Sequence, residues 1–167
     1  MSIFKNIKAS ETYNSQMNNE YKEILPSMIS SLMADEFISC FQYRMSAMAS
    51  KQNYKEAVIN QFIEHSNDEL KHFDMLVDLA TKLGIEDKVN TEFGKLVELT
   101  NCQIDKIPTE TTSNINIQKS GESCAIKGYR KLLTLAKQNK DSITCDVIRS
   151  IIADEVEHET DLEKFLN

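Results

Sequence analysis

The chain has 167 residues, four glycines, two prolines and a formal net charge of -7 at pH 7. This length suits one domain with a sizeable core and leaves no room for a second. The acidic balance argues against a nucleic-acid partner, because DNA affinity depends on neutralising phosphates, and it favours the attraction of cations. No apolar run approaches the ~18 residues of a membrane span, and the opening MSIFKNIKAS lacks the apolar region of a secretory signal, so we expect a cytoplasmic protein.

Helical patterns dominate the chain, and β-strand signals are nearly absent. Apolar residues recur at three- and four-residue steps in four segments, the first starting after Pro26 with Ser27 near its cap and the second stopped by Gly84. The predicted helices are about 27–50, 54–83, 115–137 and 141–166.

The segments between and before these helices complete the predicted organisation. A short amphipathic piece near 91–99 lies in the long connection 84–114. We expect residues 1–25 to be an N-terminal extension with a short helix around 11–22, and residues 26–167 to be the folded domain. Short links make antiparallel hairpins of the first and second and of the third and fourth helices. The 31-residue connection is long enough to cross a bundle, so the sequence predicts an all-α four-helix bundle with one long crossover between helices 2 and 3.

The pattern Asp-Glu-x-x-His occurs twice, at residues 68–72 and 154–158, and it belongs to a larger repeat. Identical residues separated by 86 positions include Glu36 and Glu122, Tyr43 and Tyr129, Arg44 and Arg130, Asp68 and Asp154, Glu69 and Glu155, and His72 and His158. In each copy the lone Glu precedes the Glu-x-x-His by 33 residues, which suits two antiparallel helices meeting at one level. The hairpins are therefore interpreted as pseudo-copies that build a site with approximate two-fold symmetry.

The repeated Glu and His residues fall in helical rows otherwise filled by apolar residues, so the pattern buries four carboxylates and two imidazoles together. Buried carboxylates without countercharge are driven to protonate. Two divalent metals would supply that charge, and this donor set is typical of di-iron or di-manganese sites in helix bundles. Iron is favoured for redox chemistry, and manganese or zinc suits the same donors. The predicted ligands are Glu36, Glu69, His72, Glu122, Glu155 and His158.

Three further side chains lie in the same inward rows. Tyr43 and Tyr129, seven residues after Glu36 and Glu122, are placed either to hydrogen-bond metal ligands or to pack in the core with satisfied hydroxyls. His65 precedes His72 by one heptad, and a third ligand, a hydrogen-bonded core histidine and a transient iron-entry residue remain open for it.

At these residues the sequence resembles the ferritin superfamily, over essentially the whole chain from about residue 28. The segments FIEHSNDELKHFDML, LTNCQIDKIPTE, ESCAIKGY and ITCDVIRSIIADEVEHETDLEKFL look most like the Dps-like proteins also called thioferritins, which are related to bacterioferritin. The resemblance implies a ferritin-like bundle in a hollow cage of twelve subunits that oxidises Fe(II), preferably with hydrogen peroxide, and stores ferric mineral.

Carried over residue by residue, the resemblance makes Glu36 and His72 terminal ligands of one iron. Glu122 and His158 would be terminal ligands of the other. Glu69 and Glu155 would bridge the two ions. The expected protein is thus an antioxidant ferroxidase with two irons per subunit, acting on Fe(II) with peroxide or dioxygen.

The resemblance also matches Cys102, on the crossover, and Cys124 to a dithiol or disulfide beside the site. Cys124 lies about 200° around the helix from Glu122, so we expect it to point away from the metals. The resemblance implies that this cysteine pair gates access to the site or relays electrons. The alternative is that the two cysteines are only small apolar residues buried in the core. Cys145 also matches the family without an assigned chemistry, and Cys40 is interpreted as a packing residue.

Four other kinds of protein are alternatives to this interpretation. Leu70 stands where bacterioferritins carry a haem-ligating Met, so no haem is expected and a 24-subunit shell is disfavoured. The absence of a C-x-x-C pair argues against a rubrerythrin-like peroxidase. The net charge and the intact ligands within one bundle argue against a DNA-coating protein of the Dps type. A small di-metal oxidoreductase that forms no cage, such as a manganese catalase-like enzyme, remains the main alternative.

Overall fold

The computed structural model describes residues 17–50, 56–102 and 106–166. Its helices are α1 (Asn19–Ser50), α2 (Glu56–Leu83), α3 (Phe93–Leu99), α4 (Thr111–Gln138) and α5 (Ser142–Lys164). These three ranges contain helices and no strand, which confirms the predicted all-α class.

The four long helices pack as two hairpins joined into a bundle. α1 packs along α2 and α4 packs along α5, while α1 also contacts α4 and α2 also contacts α5. The long connection from α2 to α4 carries the short helix α3, which packs against α1. The predicted four-helix bundle with one crossover between the second and third long helices is therefore confirmed.

The predicted start of the first helix after Pro26 is wrong. α1 begins at Asn19, and Pro26 lies inside it. The side chain of Asn18 accepts a hydrogen bond from the backbone N–H of Tyr21 at 2.7 Å, which satisfies one of the free donors at the helix start. Tyr21 and Leu25 are buried in the core, and this packing outweighs the ~3 kcal/mol that a proline costs within a helix.

The expected N-terminal extension is largely untested. Residues 19–22 of the predicted short helix belong to α1, and residues 11–16 lie outside the described ranges. The division at residue 26 stays a prediction.

Two apolar clusters occupy different levels of the bundle. The larger one draws on the first half of α1, the ends of α2 and α4 and the start of α5. The smaller one comprises Tyr43, Ala47, Val58, Phe62, Ile115 and Leu162. On every long helix, the predicted ligands lie in the interval between the residues of these two clusters. The apolar core therefore closes both ends of the site.

α1 is the one described helix that is long and apolar enough to cross a membrane. Half of its most apolar window is buried inside the bundle. We therefore interpret α1 as a core helix of the bundle.

The helices α2 and α4 end in the same way. Gly84 has a φ of 67°, and the backbone N–H of Ile85 donates to the carbonyl of Ala80 at 3.0 Å, so the prediction that Gly84 ends α2 is confirmed. Lys140 takes the same left-handed conformation after α4, with a φ of 57°, and the N–H of Asp141 donates to the carbonyl of Ala136 at 2.9 Å. A lysine thus occupies a position that favours glycine.

We predict that Lys140→Gly raises the free energy of unfolding by about 0.5–1 kcal/mol, because the left-handed conformation costs a residue with a Cβ about 1–2 kcal/mol. The matched control is Lys137→Gly, inside α4, which should lower it by about 1 kcal/mol. Chemical denaturation at one fixed protein concentration measures both. A Lys140→Gly protein as unstable as the control would contradict the strain at this position.

Candidate metal centre

The structure brings all six predicted ligands together in the bundle interior. Glu36 comes from α1, Glu122 from α4, and each of the other two long helices supplies one Glu-x-x-His pair. Every one of the six residues is at most 4% exposed.

The six residues form two overlapping groups of possible metal ligands. One group contains Glu36, Glu69, His72 and Glu155, and the other contains Glu69, Glu122, Glu155 and His158. Within each group, one ligand atom from every residue lies within 4.8 Å of the others. Glu69 and Glu155 belong to both groups, which is the placement that two carboxylates bridging a pair of ions require.

Many of the inward-facing polar atoms have no hydrogen-bond partner. They are Glu36 Oε2, Glu69 Oε1, both carboxylate oxygens of Glu155, and Nδ1 of His72 and of His158. His72 Nδ1 lies 3.0 Å from Glu155 Oε1 and 3.3 Å from Glu36 Oε2, yet the geometry makes no hydrogen bond. Buried polar atoms without partners are costly, and a divalent metal would satisfy several at once. Carboxylate oxygens with imidazole nitrogens suit iron, manganese or zinc.

The outer nitrogens of the two histidines face aspartates of the opposite copy. His72 Nε2 lies 3.2 Å from Asp154 Oδ2, and His158 Nε2 lies 3.7 Å from Asp68 Oδ2. Each aspartate directly precedes a predicted bridging glutamate in the chain. Such carboxylates orient an imidazole so that its other nitrogen faces a metal.

Two tyrosines connect α1 and α4 across the site. Tyr43 on α1 donates a hydrogen bond to Glu122 on α4, and Tyr129 on α4 donates one to Glu36 on α1. Both rings are buried. Each hydroxyl thus holds one oxygen of a predicted terminal ligand and leaves the second oxygen facing the cluster.

The crowding of acids and imidazoles shifts their protonation. Burial, reinforced by the neighbouring glutamates, raises the pKa of Glu69 well above its usual range and that of Glu122 to about 7. Burial opposes the charging of His72 and His158, but the carboxylates around them outweigh it and raise the pKa of both. Burial and the charge of Glu36 also oppose ionisation of Glu155, yet the close approach of His158, His72 and Glu122 leaves its pKa below the usual value. Without metal, the cluster therefore holds protons at neutral pH.

His65, whose role the sequence left open, is 1% exposed and lies beside His158. The two rings stack with centroids 4.1 Å apart, and the Tyr43 ring is perpendicular to the His65 ring with centroids 5.2 Å apart. Its Nε2 lies 2.9 Å from the side-chain nitrogen of Gln61. Burial, followed by the neighbouring charge of His158, lowers the pKa of His65 to about 4.

Cys102 and Cys124 are joined by a disulfide, with Cα atoms 5.7 Å apart, which attaches the crossover to α4. The backbone N–H of Cys102 also donates to Asp35 Oδ1 at 3.1 Å, and the N–H of Asn101 donates to the same oxygen at 2.6 Å. Asp35 directly precedes Glu36, so the crossover is fixed to the helix turn that carries a predicted ligand. Sequence reasoning missed Asp35, and its position beside Glu36 was the available signal.

The other two cysteines are free. Cys40 is half-buried, with its Sγ 3.4 Å from Ser66 Oγ, and Cys145 is buried.

Comparison with known proteins places this site in a family. The model of the ferritin-like domain matches residues 27–167. The chain belongs to the ferritin family. The predicted relationship to the ferritin superfamily is thus confirmed, and the family together with the carboxylate and histidine cluster supports iron binding and ferroxidase or storage function in general.

Three solved structures share the fold of this ferritin-family chain. A dodecameric thioferritin, the bacterioferritin-related protein of Bacteroides fragilis, is 24% identical with a TM-score of 0.84, covering 95% of this chain and 92% of that one. The DPS protein of Vibrio cholerae O1, described as a ferritin-like diiron-carboxylate protein, is 15% identical with a TM-score of 0.80 over 90% and 94% of the chains. Dps of Thermosynechococcus elongatus is 14% identical with a TM-score of 0.79 over 95% of each. No curated protein matches the chain significantly.

We predict that metal binding to the ferritin-family cluster releases protons at pH 7. The raised pKa values mean that the metal-free cluster holds more protons than ligating Glu and His side chains can keep, so affinity should rise with pH and fall on acidification. Calorimetric titration with Zn(II) in two buffers of different ionisation enthalpy measures the release. Identical heats in both buffers would contradict the prediction.

We also predict that Asp154→Asn weakens Zn(II) binding by about 10- to 100-fold, because the amide holds His72 less firmly in its ligating orientation. Asp78→Asn, on the exposed face of α2, is the matched control and should bind as the wild-type protein does. Competition with a chromophoric chelator measures both affinities. Equal affinities in the two variants would show that Asp154 does not position the histidine.

Proposed function

We propose that this protein is a ferroxidase and iron-storage protein of the cytoplasm, which oxidises Fe(II) at a di-iron site inside each subunit and deposits ferric mineral in a dodecameric cage. The observation that carries the proposal is the convergence of buried donor atoms without hydrogen bonds in two groups that share Glu69 and Glu155. The confirmed family supports it.

In the proposed site, Glu36 and His72 hold one Fe(II), Glu122 and His158 hold the other, and Glu69 and Glu155 bridge them. Each Fe(II) gives up one electron. Hydrogen peroxide, the preferred oxidant, takes both electrons with two protons and becomes two molecules of water, so no hydroxyl radical is released. Dioxygen is the other candidate oxidant.

The residues around the ligands keep this arrangement fixed through the change in iron charge. Tyr43 and Tyr129 hold one oxygen each of Glu122 and Glu36, while Asp154 approaches the outer nitrogen of His72. Carboxylates stabilise Fe(III) and can change between bridging and terminal binding. We assign the disulfide of Cys102 and Cys124 a redox role in gating access to the site, since it fixes the crossover close to Asp35 and Glu36.

We predict that Glu69→Ala combined with Glu155→Ala abolishes fast Fe(II) oxidation, because both bridging carboxylates are lost. Stopped-flow absorbance after mixing with Fe(II) and peroxide measures the rate, and circular dichroism checks that the helices remain. The matched control is Glu23→Ala combined with Glu98→Ala, which removes two exposed carboxylates and should leave the rate unchanged. Wild-type kinetics in the Glu69 and Glu155 double variant would overturn the site assignment.

Assembly into a cage is supported by apolar side chains exposed on the first hairpin. Phe41 and Met48 on α1 are 57% and 59% exposed, and Leu70 and Val77 on α2 are also exposed. Exposed apolar side chains of this kind are available to be covered where subunits meet. The main alternative, a small di-iron or di-manganese oxidoreductase without a cage, uses the same ligands and lacks only the storage compartment.

We predict that light scattering of the purified protein before iron is added gives a single species near twelve times the 19.1 kDa chain. A dimer would remove the storage function and support the small oxidoreductase. The assignment of the metal ligands would stand with either result.

A further inference from the structure

The two halves of the candidate metal centre differ at one inward position. We call Glu36 with His72 the first half and Glu122 with His158 the second half. His65 and Ile151 are related by the 86-residue repeat, each standing seven residues before the histidine of its copy. Ile151 is fully buried in the larger apolar cluster, whereas His65 offers two ring nitrogens at the corresponding place. The site is therefore chemically asymmetric.

His65 lies within metal-binding reach of the second half. A ring nitrogen of His65, a carboxylate oxygen of Glu122 and a ring nitrogen of His158 all lie within 4.8 Å of one another. Nδ1 of His65 is buried and has no hydrogen-bond partner. A satisfied core histidine would use both nitrogens, so the packing of His65 leaves one polar atom unexplained.

A polar pocket of about 230 Å³ leads to the same place. Both His65 and His158 line it, so a solute in the pocket reaches the two rings directly. Its remaining lining includes five carboxylates, from Glu64, Asp68, Asp154, Glu157 and Asp161, against the single positive charge of Lys71. This excess of negative charge attracts divalent cations into the pocket, where the imidazole rings of His65 and His158 are available as ligands.

We propose that His65 is a seventh metal-binding residue, which gives the second half an additional position for a divalent cation, bound by His65, Glu122 and His158 where the pocket meets the cluster. The inference rests on the proposed function, since it adds to the same site. A cation arriving through the pocket binds here and then moves between Glu69, Glu122, Glu155 and His158. The first half, with Ile151 in place of a histidine, has no such position.

The test is a titration of the assembled, iron-free protein with Co(II), whose visible absorption depends on the number and type of its ligands. His65→Phe keeps a ring against His158 and Tyr43 but has no donor atom. His65→Gln keeps a donor atom but loses the ring. Phe62→Leu is the packing control, because Phe62 also contacts Tyr43, with ring centroids 5.8 Å apart, and offers no ligand.

We expect His65→Phe to weaken Co(II) binding at the second half by at least about tenfold and to change the absorption bands of the Co(II) bound there. Binding at the first half should stay as in the wild type. His65→Gln should recover part of the affinity, and Phe62→Leu should bind normally. Wild-type titrations of His65→Phe, or an equal loss in Phe62→Leu, would overturn the role of His65 and leave the proposed function standing. A wild-type protein that binds no Co(II) would overturn both.

Discussion

Four carboxylates and two imidazoles share the interior of a small helical bundle, and several of their polar atoms have no hydrogen-bond partner. Placing so many ionisable groups together without countercharge would destabilise any fold, because each must be desolvated and the carboxylates repel one another. The rest of the structure is arranged around this constraint. Apolar clusters occupy the levels on both sides of the site, and tyrosine and aspartate side chains fix the glutamates and histidines from outside.

The supporting contacts all run between the two copies of the repeat. Tyr43 of the first hairpin holds Glu122 of the second, and Tyr129 holds Glu36 in return. Asp154 and Asp68 face the histidines of the opposite copy in the same crossed manner. Neither hairpin can therefore complete its half of the site alone. The two hairpins must therefore pack against each other to build the metal centre.

Three departures from the symmetry of the repeat lie beside the site. The positions that correspond to Asp35, His65 and Cys124 are Gly121, Ile151 and Ile38. The anchored crossover therefore lies on one side of the bundle, and the acidic pocket with His65 opens at the second half. The two symmetric metal positions thus have different surroundings, which is a physical reason for the two ions to bind with different affinities.

The sequence predicted the helices and the six clustered residues well because both depend on periodicity and on exact repetition of residue types. It failed at Pro26, where a proline normally marks a helix start, because the burial of Tyr21 against the rest of the bundle is a tertiary fact. The sequence also did not predict that each tyrosine bonds the glutamate of the other copy. A repeat shows that two residues are equivalent, but it does not show which helix each one faces. The assignment of the ligands remains a prediction until metal is observed.

The most direct measurement is anomalous diffraction at the iron absorption edge from crystals loaded with Fe(II) without oxygen. We expect two peaks in each subunit, one beside Glu36 and His72 and one beside Glu122 and His158, both within bonding distance of Glu69 and Glu155. Crystals that show no iron among these residues, or iron bound only at the surface, would contradict it.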